Sequence, residues 1–398
     1  MQIEEANIKT SKPERSRDAR WHFVLLCCLP LLGLRIWMLV TKHNLYDFIT
    51  YWASGRIFLA GGHPYSQDAM LATEQMLGWP SDVPMMTFCP PWALPLSSIL
   101  ALFPFHVAQM GWFAISLVLN CASAVGLWIY FDGKRSQAWI ALIVCATFLP
   151  MGGAELLGQI NPLMLASLTA FLLFVKGKHN FAAGLVTLGF GFKPHLLYLV
   201  ALAILLWAIK QRAWTLLGGV LLGYIGTTVF AQIYNPNVAD YLHRSVNDAL
   251  EISCGLGWVL RAAFGVQRRW LQFLPCFFGL AWFLYYWKKH REHWDWQTHF
   301  PLLVLVSVST SPYFWFHDFI MTFPALISLC VRGAYRSFNV IVAYLVFQAF
   351  LFEAGMPFTW MAVASVLWTA FYWYADRETS LLGRSDEKVI PRNRDQQC

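Results

Sequence analysis

Apolar residues fall into runs separated by short polar breaks, at about 21–41, 106–131, 138–151, 161–175, 181–192, 194–209, 213–231, 270–287, 298–311, 319–331, 337–352 and 358–375. Only some reach the ~17 residues that a straight lipid-exposed helix needs to cross a bilayer. The shorter runs suit paired helices whose tips are buried in protein or line a wet cavity, where backbone polar groups still find partners. A further run, 88–105, carries Pro90, Pro91, Pro95 and Pro104. The apolar pattern alone does not place it; the charge balance assigns it as a re-entrant or interfacial element, not a span. Residues 48–59 are amphipathic and run into Gly61-Gly62-His63-Pro64-Tyr65, which suits a helix lying in the membrane interface. The pattern predicts an all-α polytopic membrane protein with about 12 transmembrane helices, plus interfacial helices in its first outer loop.

Charge orients this arrangement. With a cytoplasmic N-terminus and 88–105 not crossing, 21 of the 29 Lys and Arg residues fall inside, and a crossing at 88–105 would turn the later basic loops outward. Outside lie Lys42, Arg56, Lys193, Arg244, Arg261, Arg268 and Arg269, while Arg35 stays within the first helix. The expected division is a cytoplasmic segment 1–20, a transmembrane domain 21–375 and a cytoplasmic tail 376–398 without fixed structure. The outer face then holds a first loop (42–105, including the proline-rich element), a second loop (232–269) and short tips at 152–161, 192–195, 311–318 and 353–357. The run at 21–41 follows a charged segment without a clear small-residue cleavage site, so it reads as a retained first span.

Composition agrees. Hydrophobic residues make up 58% of the chain and charged residues 13%, about half the ~25% charge of soluble domains. The net charge of +7 is spread over short loops, which suits orientation and anionic lipid and predicts no nucleic-acid partner. The cysteines show no Cys-x-x-Cys pair and no Cys/His ligand spacing, so neither a disulfide framework nor a zinc site is expected.

Candidate chemistry gathers at the outer tips. Asp47 stands just past the first span, either as an N-cap of the interfacial helix or as a general base for an acceptor hydroxyl. Lys193, in Phe192-Lys193-Pro194-His195, either snorkels to headgroups or meets a phosphate. His317 and Asp318 follow Ser311-Pro312. His317 can donate to a phosphate or a sugar hydroxyl, Asp318 can cap the next helix, and helical neighbours about 100° apart need not share a pocket. Gln159 and Asn161, neutral amides at a tip, suit sugar hydroxyls or helix capping. Arg244 and Arg261 are candidate anion contacts. No Asp-x-Asp metal pair is present.

The order Tyr46-Asp47-Phe48, Tyr51-Trp52-Ala53-Ser54-Gly55-Arg56, Leu59, Gly61, Pro64-Tyr65, Pro90-Pro91, Gly158-Gln159-Ile160-Asn161, Lys193-Pro194 and Ser311-Pro312 resembles glycosyltransferase family 87, from about 45 to 330. That family holds polyprenyl-phosphate-mannose-dependent mannosyltransferases of the C-type glycosyltransferase superfamily. The resemblance implies a C-type glycosyltransferase-like fold in the bacterial cytoplasmic membrane, with both termini cytoplasmic and an extracytoplasmic active site. It implies transfer of a hexose, mannose in this family, from a polyprenyl-phosphate sugar to a lipid or glycan acceptor with inversion. Asp47 would be the catalytic carboxylate, Lys193 and His317 would lie near the lipid phosphate, and Arg56, Gln159, Asn161, Arg244 and Asp318 would bind substrate. No cofactor is implied beyond the donor; the partners are donor, acceptor and membrane lipid. The chain departs from the family at Phe88-Cys89-Pro90-Pro91, where a Tyr precedes the two prolines.

The main alternative is a transporter or flippase of lipid-linked sugars. That class shows broken helices in matching positions of two halves and ionisable residues near mid-bilayer. A non-catalytic scaffold would need neither the isolated Lys193 tip nor the long first loop.

Overall fold

The computed structural model describes residues 29–33, 35–37, 46–85, 88–243, 255–353 and 359–389. Every regular element among them is helical. After the helical residues 29–33 and 35–37, the helices are α1 (Tyr46–Leu59), α2 (Gln67–Met76), α3 (Leu94–Leu100), α4 (Phe105–Tyr130), α5 (Ala138–Thr147), α6 (Leu149–Leu157), α7 (Asn161–Lys176) and α8 (Asn180–Phe190). There follow α9 (Tyr198–Lys210), α10 (Trp214–Tyr234), α11 (Leu256–Phe264), α12 (Leu274–His290), α13 (Trp296–Ser309), α14 (Phe323–Val331), α15 (Phe338–Glu353) and α16 (Thr359–Val389).

By length and composition, two described helices can cross a membrane, α4 and α10. A third is added if α5 and α6, which meet at a 59° bend, form one broken span. The remaining apolar helices are shorter, between 10 and 17 residues for α7, α8 and α9 among them. The expected twelve spans are therefore not a set of full-length rods. Burial explains how the short helices manage: every residue of α14 from Phe323 to Cys330 is buried, so protein and not lipid surrounds its ends.

The core is a chain of packed neighbours in which α4 lies on α7, α7 on α8, and α8 on α10. The last pair approaches closely because two glycines face each other. A Cβ on Gly184 would sit 2.1 Å from the Leu216 carbonyl oxygen, and one on Gly219 would sit 2.3 Å from that of Phe181. Small residues at such crossings let backbones meet and gain dispersion contact, the main cohesive force where lipid removes the hydrophobic drive. The far side of α10 exposes Leu221, Leu222, Ile225, Val229 and Ile233, an apolar stripe too large for contact with water.

One boundary differs from the sequence reading. The tip expected at 152–161 is helical as far as Leu157, leaving only Gly158–Ile160 as the connection to α7. The proline-rich stretch 88–105 holds the seven-residue α3, far below spanning length, and α3 packs on α1. Pro95 sits in the first turn of α3, where its missing N–H costs nothing. The expected tip 353–357 lies almost wholly outside the described residues.

Candidate functional site

Four segments bring polar side chains together at one end of the bundle. They are the first turn of α1, the α6–α7 connection, the turn before α9, and the 3-10 helix Phe316–Thr322. Each is held by a local device. Gly55, two turns along α1, lets that helix lie directly on α3, since a Cβ there would fall 2.8 Å from the Ser97 carbonyl oxygen. Gly158 ends α6 in the left-handed region (φ 68°), which glycine adopts without cost, and turns the chain so that Gln159 and Asn161 point back. Trp112 Nε1 donates to the Gly158 carbonyl at 3.1 Å and fixes the turn to α4. Phe316 lies against Gly153, which carries the 3-10 helix up to α6.

At the centre stands Lys193. Its Nζ is 2.7 Å from Asp318 Oδ1, 2.9 Å from Gln159 Oε1, 3.2 Å from Asn161 Oδ1 and 3.3 Å from His317 Nε2. Asn161 Nδ2 also donates to Asp318 Oδ1 at 2.8 Å. Gln159 carries the network on to Asp47, donating through Nε2 to Asp47 Oδ2, while its Oε1 also accepts from the Tyr51 hydroxyl at 3.2 Å. Five of the sequence candidates besides Lys193 therefore meet around it or one amide away: Asp47, Gln159, Asn161, His317 and Asp318.

Several alternatives left open by the sequence are decided here. Lys193 does not snorkel to the surface but pairs with a carboxylate whose side chain is 1% exposed. Asn161 is the first residue of α7, yet its amide bonds Lys193 and Asp318 and caps nothing. Asp318 does both jobs: Oδ2 accepts from the Trp315 backbone N–H at 2.8 Å, and Oδ1 faces Lys193. His317 and Asp318 do share one pocket, because the 3-10 turn points both at the lysine.

The two carboxylates differ in electrostatics. Burial pushes the Asp47 carboxyl above its ordinary value, against the Gln159 hydrogen bond and the Lys193 charge, and nearby Asp318 adds to the rise. Burial alone would raise Asp318 too, but the Lys193 charge and the hydrogen bonds from Lys193 and Asn161 outweigh it and hold that carboxyl well below the usual range. Burial, then the Lys193 charge, pushes His317 down to about 3, so the ring is neutral and its Nε2 lone pair can face Nζ.

Other candidates lie elsewhere. Arg56 is exposed in the last turn of α1, about 13 Å along the helix from Asp47 at 1.5 Å per residue. Arg244 lies outside the described residues. Arg261 is buried, donating from Nε to the Val266 carbonyl at 2.9 Å and from Nη1 to Gln272 Oε1 at 3.2 Å, which closes its own loop. Arg268 and Arg269 are exposed.

Two participants carried no signal of their own in the sequence. Tyr51 holds Gln159 from one turn along α1. His195 stacks on Tyr313 with ring centroids 3.9 Å apart, its Nε2 is buried without a hydrogen-bond partner, and burial pushes its pKa down to about 3. The Lys193-Pro194-His195 sequence gave a hint, since a proline-broken tip presents residues on either side of it.

No curated protein and no solved structure matches the chain. The pattern of glycosyltransferase family 87 matches residues 88–312, which include Gln159, Asn161, Lys193 and His195 and stop short of Asp47, His317 and Asp318. The match covers more than half of the chain and the middle of the polar cluster, and the helical architecture around it is that of a membrane protein, so this chain belongs to glycosyltransferase family 87 and is a glycosyltransferase.

Proposed function

We propose that the enzyme moves a hexose, mannose by family resemblance, from a polyprenyl-phosphate sugar to a lipid or glycan acceptor at the extracytoplasmic face, with inversion. One observation carries this reading. Asp47, a carboxylate with a raised pKa, is held by the Gln159 amide beside a Lys193–Asp318–His317 cluster. General base catalysis needs a carboxylate within hydrogen-bond reach of the acceptor hydroxyl and a pKa nearer to working pH than an ordinary aspartate has.

The step balances simply. Asp47 takes the proton of the acceptor hydroxyl as that oxygen forms a bond to the anomeric carbon. The bond from that carbon to the phosphate oxygen breaks, and the polyprenyl phosphate leaves with the electron pair. Lys193 is the one cation among the described residues of the cluster, and its charge is balanced by Asp318. An arriving phosphate shares that lysine by displacing the neutral amides of Gln159 and Asn161, not the carboxylate, because the ion pair is the stronger contact. His317 is neutral and adds no charge; with its Nε2 accepting from Lys193, it aims that ammonium at the departing phosphate.

Incubating purified protein with a small panel of polyprenyl-phosphate sugars and an extract of envelope lipids and glycans tests the reading. Release of lipid phosphate with at least one donor is expected. No release with any donor, from protein that remains folded, overturns it.

A further inference from the structure

The bend between α5 and α6 breaks a helical hydrogen bond, and both halves of that bond have been met by side chains from distant parts of the chain. In a continuous helix the Leu149 N–H would donate to the Cys145 carbonyl. Phe148 instead leaves the helical region (φ −80°, ψ 100°), and Pro150 follows. The Leu149 N–H now donates to Gln348 Oε1 at 3.0 Å, and the Cys145 carbonyl accepts from Arg35 Nη1 at 2.7 Å.

The same guanidinium reaches across the bend. Arg35 Nη2 lies 2.5 and 2.6 Å from the two carboxylate oxygens of Glu155, on α6, and Asn120 Nδ2 donates to Glu155 Oε1 at 2.7 Å. The arginine stem lies over Gly152, where a Cβ would be 3.3 Å from its Cγ. Arg35, Asn120, Glu155 and Gln348 are all buried. A single side chain thus touches both limbs of the bend, and α6 leads within three residues of Glu155 to Gly158 and then to Gln159.

We propose that Arg35, Glu155 and Gln348 are positioning residues, which fix the angle between α5 and α6 and so set Gln159 and Asn161 against Asp47 and Lys193. Stability alone is a weak reason for such a set, since a buried ion pair seldom outdoes well-packed apolar residues. Its distinctive property is directional. The guanidinium meets one carbonyl and one carboxylate at fixed positions, and only one bend angle satisfies both. A second tie runs through α15, where Tyr344 meets Thr147 of α5 at 3.1 Å and Gln348 meets Leu149 of α6, and an error in the direction of α6 moves both amides of the site together.

The kinetic arm of the test rests on Asp47 acting as the base; the structural arm does not. Glu155→Gln keeps an acceptor for Arg35 and Asn120 but removes the charge. Gln348→Leu leaves the ion pair and removes the acceptor of the Leu149 N–H, so it carries the test if Glu155→Gln does not fold. In full-length protein, turnover should fall roughly tenfold to a hundredfold, the usual effect of ångström-scale misplacement. The donor KM should change little. The acid limb of kcat/KM should move to higher pH, because Asp47 loses the Gln159 bond that draws its pKa down while Asp318 and Lys193 still face it. Backbone hydrogen exchange at 158–161 should quicken.

Folded variants with wild-type exchange at 158–161 and an unmoved acid limb overturn the proposal, however low their turnover. If Asp47 is not the base, Asp47→Asn remains active and the wild-type limb belongs to another group. The exchange measurement alone then decides the positioning role.

Discussion

Asp47 and Asp318 flank one lysine, and their surroundings drive them in opposite directions. Asp318 is ionised at any working pH because Lys193 and Asn161 hold it so, which makes it a fixed counter-charge and a poor base. Asp47 has the raised pKa, and a raised pKa makes a carboxylate a better proton acceptor. Asp47→Asn should therefore lower turnover by ~10²–10⁴-fold, the usual weight of general base catalysis, with donor binding and folding retained. The carbonyl of the new amide can still accept from Gln159 Nε2, so little structure is lost. The pH dependence has a defined sign. The base works when deprotonated, so turnover rises with pH through the Asp47 pKa, with a midpoint above the ordinary carboxylate value of 3.8. A midpoint at or below that value would count against Asp47.

Lys193 needs a more careful substitution than an isolated tip lysine would. Lys193→Ala leaves Asp318 buried without its cation, and breaking such a pair typically costs ~3–5 kcal/mol. Lost activity in that single variant would therefore confuse folding with chemistry. Lys193→Met combined with Asp318→Asn removes both charges. It should restore much of the thermal stability but not donor affinity, which should stay roughly tenfold to a hundredfold weakened by loss of a charge-assisted contact of ~1.5–3 kcal/mol. Recovery of donor use in the double variant would show that the lysine serves only Asp318.

At the scale of elements, the site depends on helix contacts made away from it. α1 carries Asp47 at one end and rests on α3 through Gly55 further along. Gly55→Val should push α1 off α3, because its Cβ would meet the Ser97 oxygen at 2.8 Å and the Ser98 Cα at 2.9 Å, both backbone atoms that cannot rotate away. The expected result is a fall in turnover of about tenfold or more with a lower Tm; Gly55→Ala, which adds the same Cβ without the γ-methyls, should move both in the same direction and by less. The sequence foretold much of this scale, and for a local reason. Four prolines marked 88–105 as irregular and charge balance excluded a span there, and helix-breaking residues exposed the tips that bear Gln159, Asn161, Lys193, His317 and Asp318. It failed where the deciding partner is remote. Gly152 and Gly153 read as the start of a tip, yet the segment is helical to Leu157 and buried, with Arg35, 120 residues before Glu155, and Gln348, 199 after Leu149, bonded to it. The direction in which Arg56 points was equally invisible, since it depends on which face of α1 meets α3.

At the scale of the whole molecule, few of the apolar runs become helices long enough to span alone among the described residues. α14 is too short to cross as a lipid-exposed rod and is enclosed by neighbours instead, while the short α8 is buried along the face that meets α7 and α10. Charge patterning is independent of helix length, and it sets an orientation that labelling can check. The loop between α4 and α5 holds Lys134 and Arg135, while the cluster around Lys193 lies at the opposite end of α7, whose final residue, Lys176, pairs with Asp132 beside that basic loop at 2.6 Å. The basic end should face the cytoplasm and the cluster should face outward. Lys134 is exposed, and so is Gln67, at the start of α2 in the first outer loop. Single cysteines at these two positions, in protein whose nine native cysteines are replaced, should behave oppositely toward an impermeant thiol reagent on intact cells. Gln67→Cys should label at once, and Lys134→Cys only after the membrane is opened. Immediate labelling of Lys134→Cys with none of Gln67→Cys would place Asp47 and Lys193 on the cytoplasmic side, where a donor presented at the outer face could not reach them.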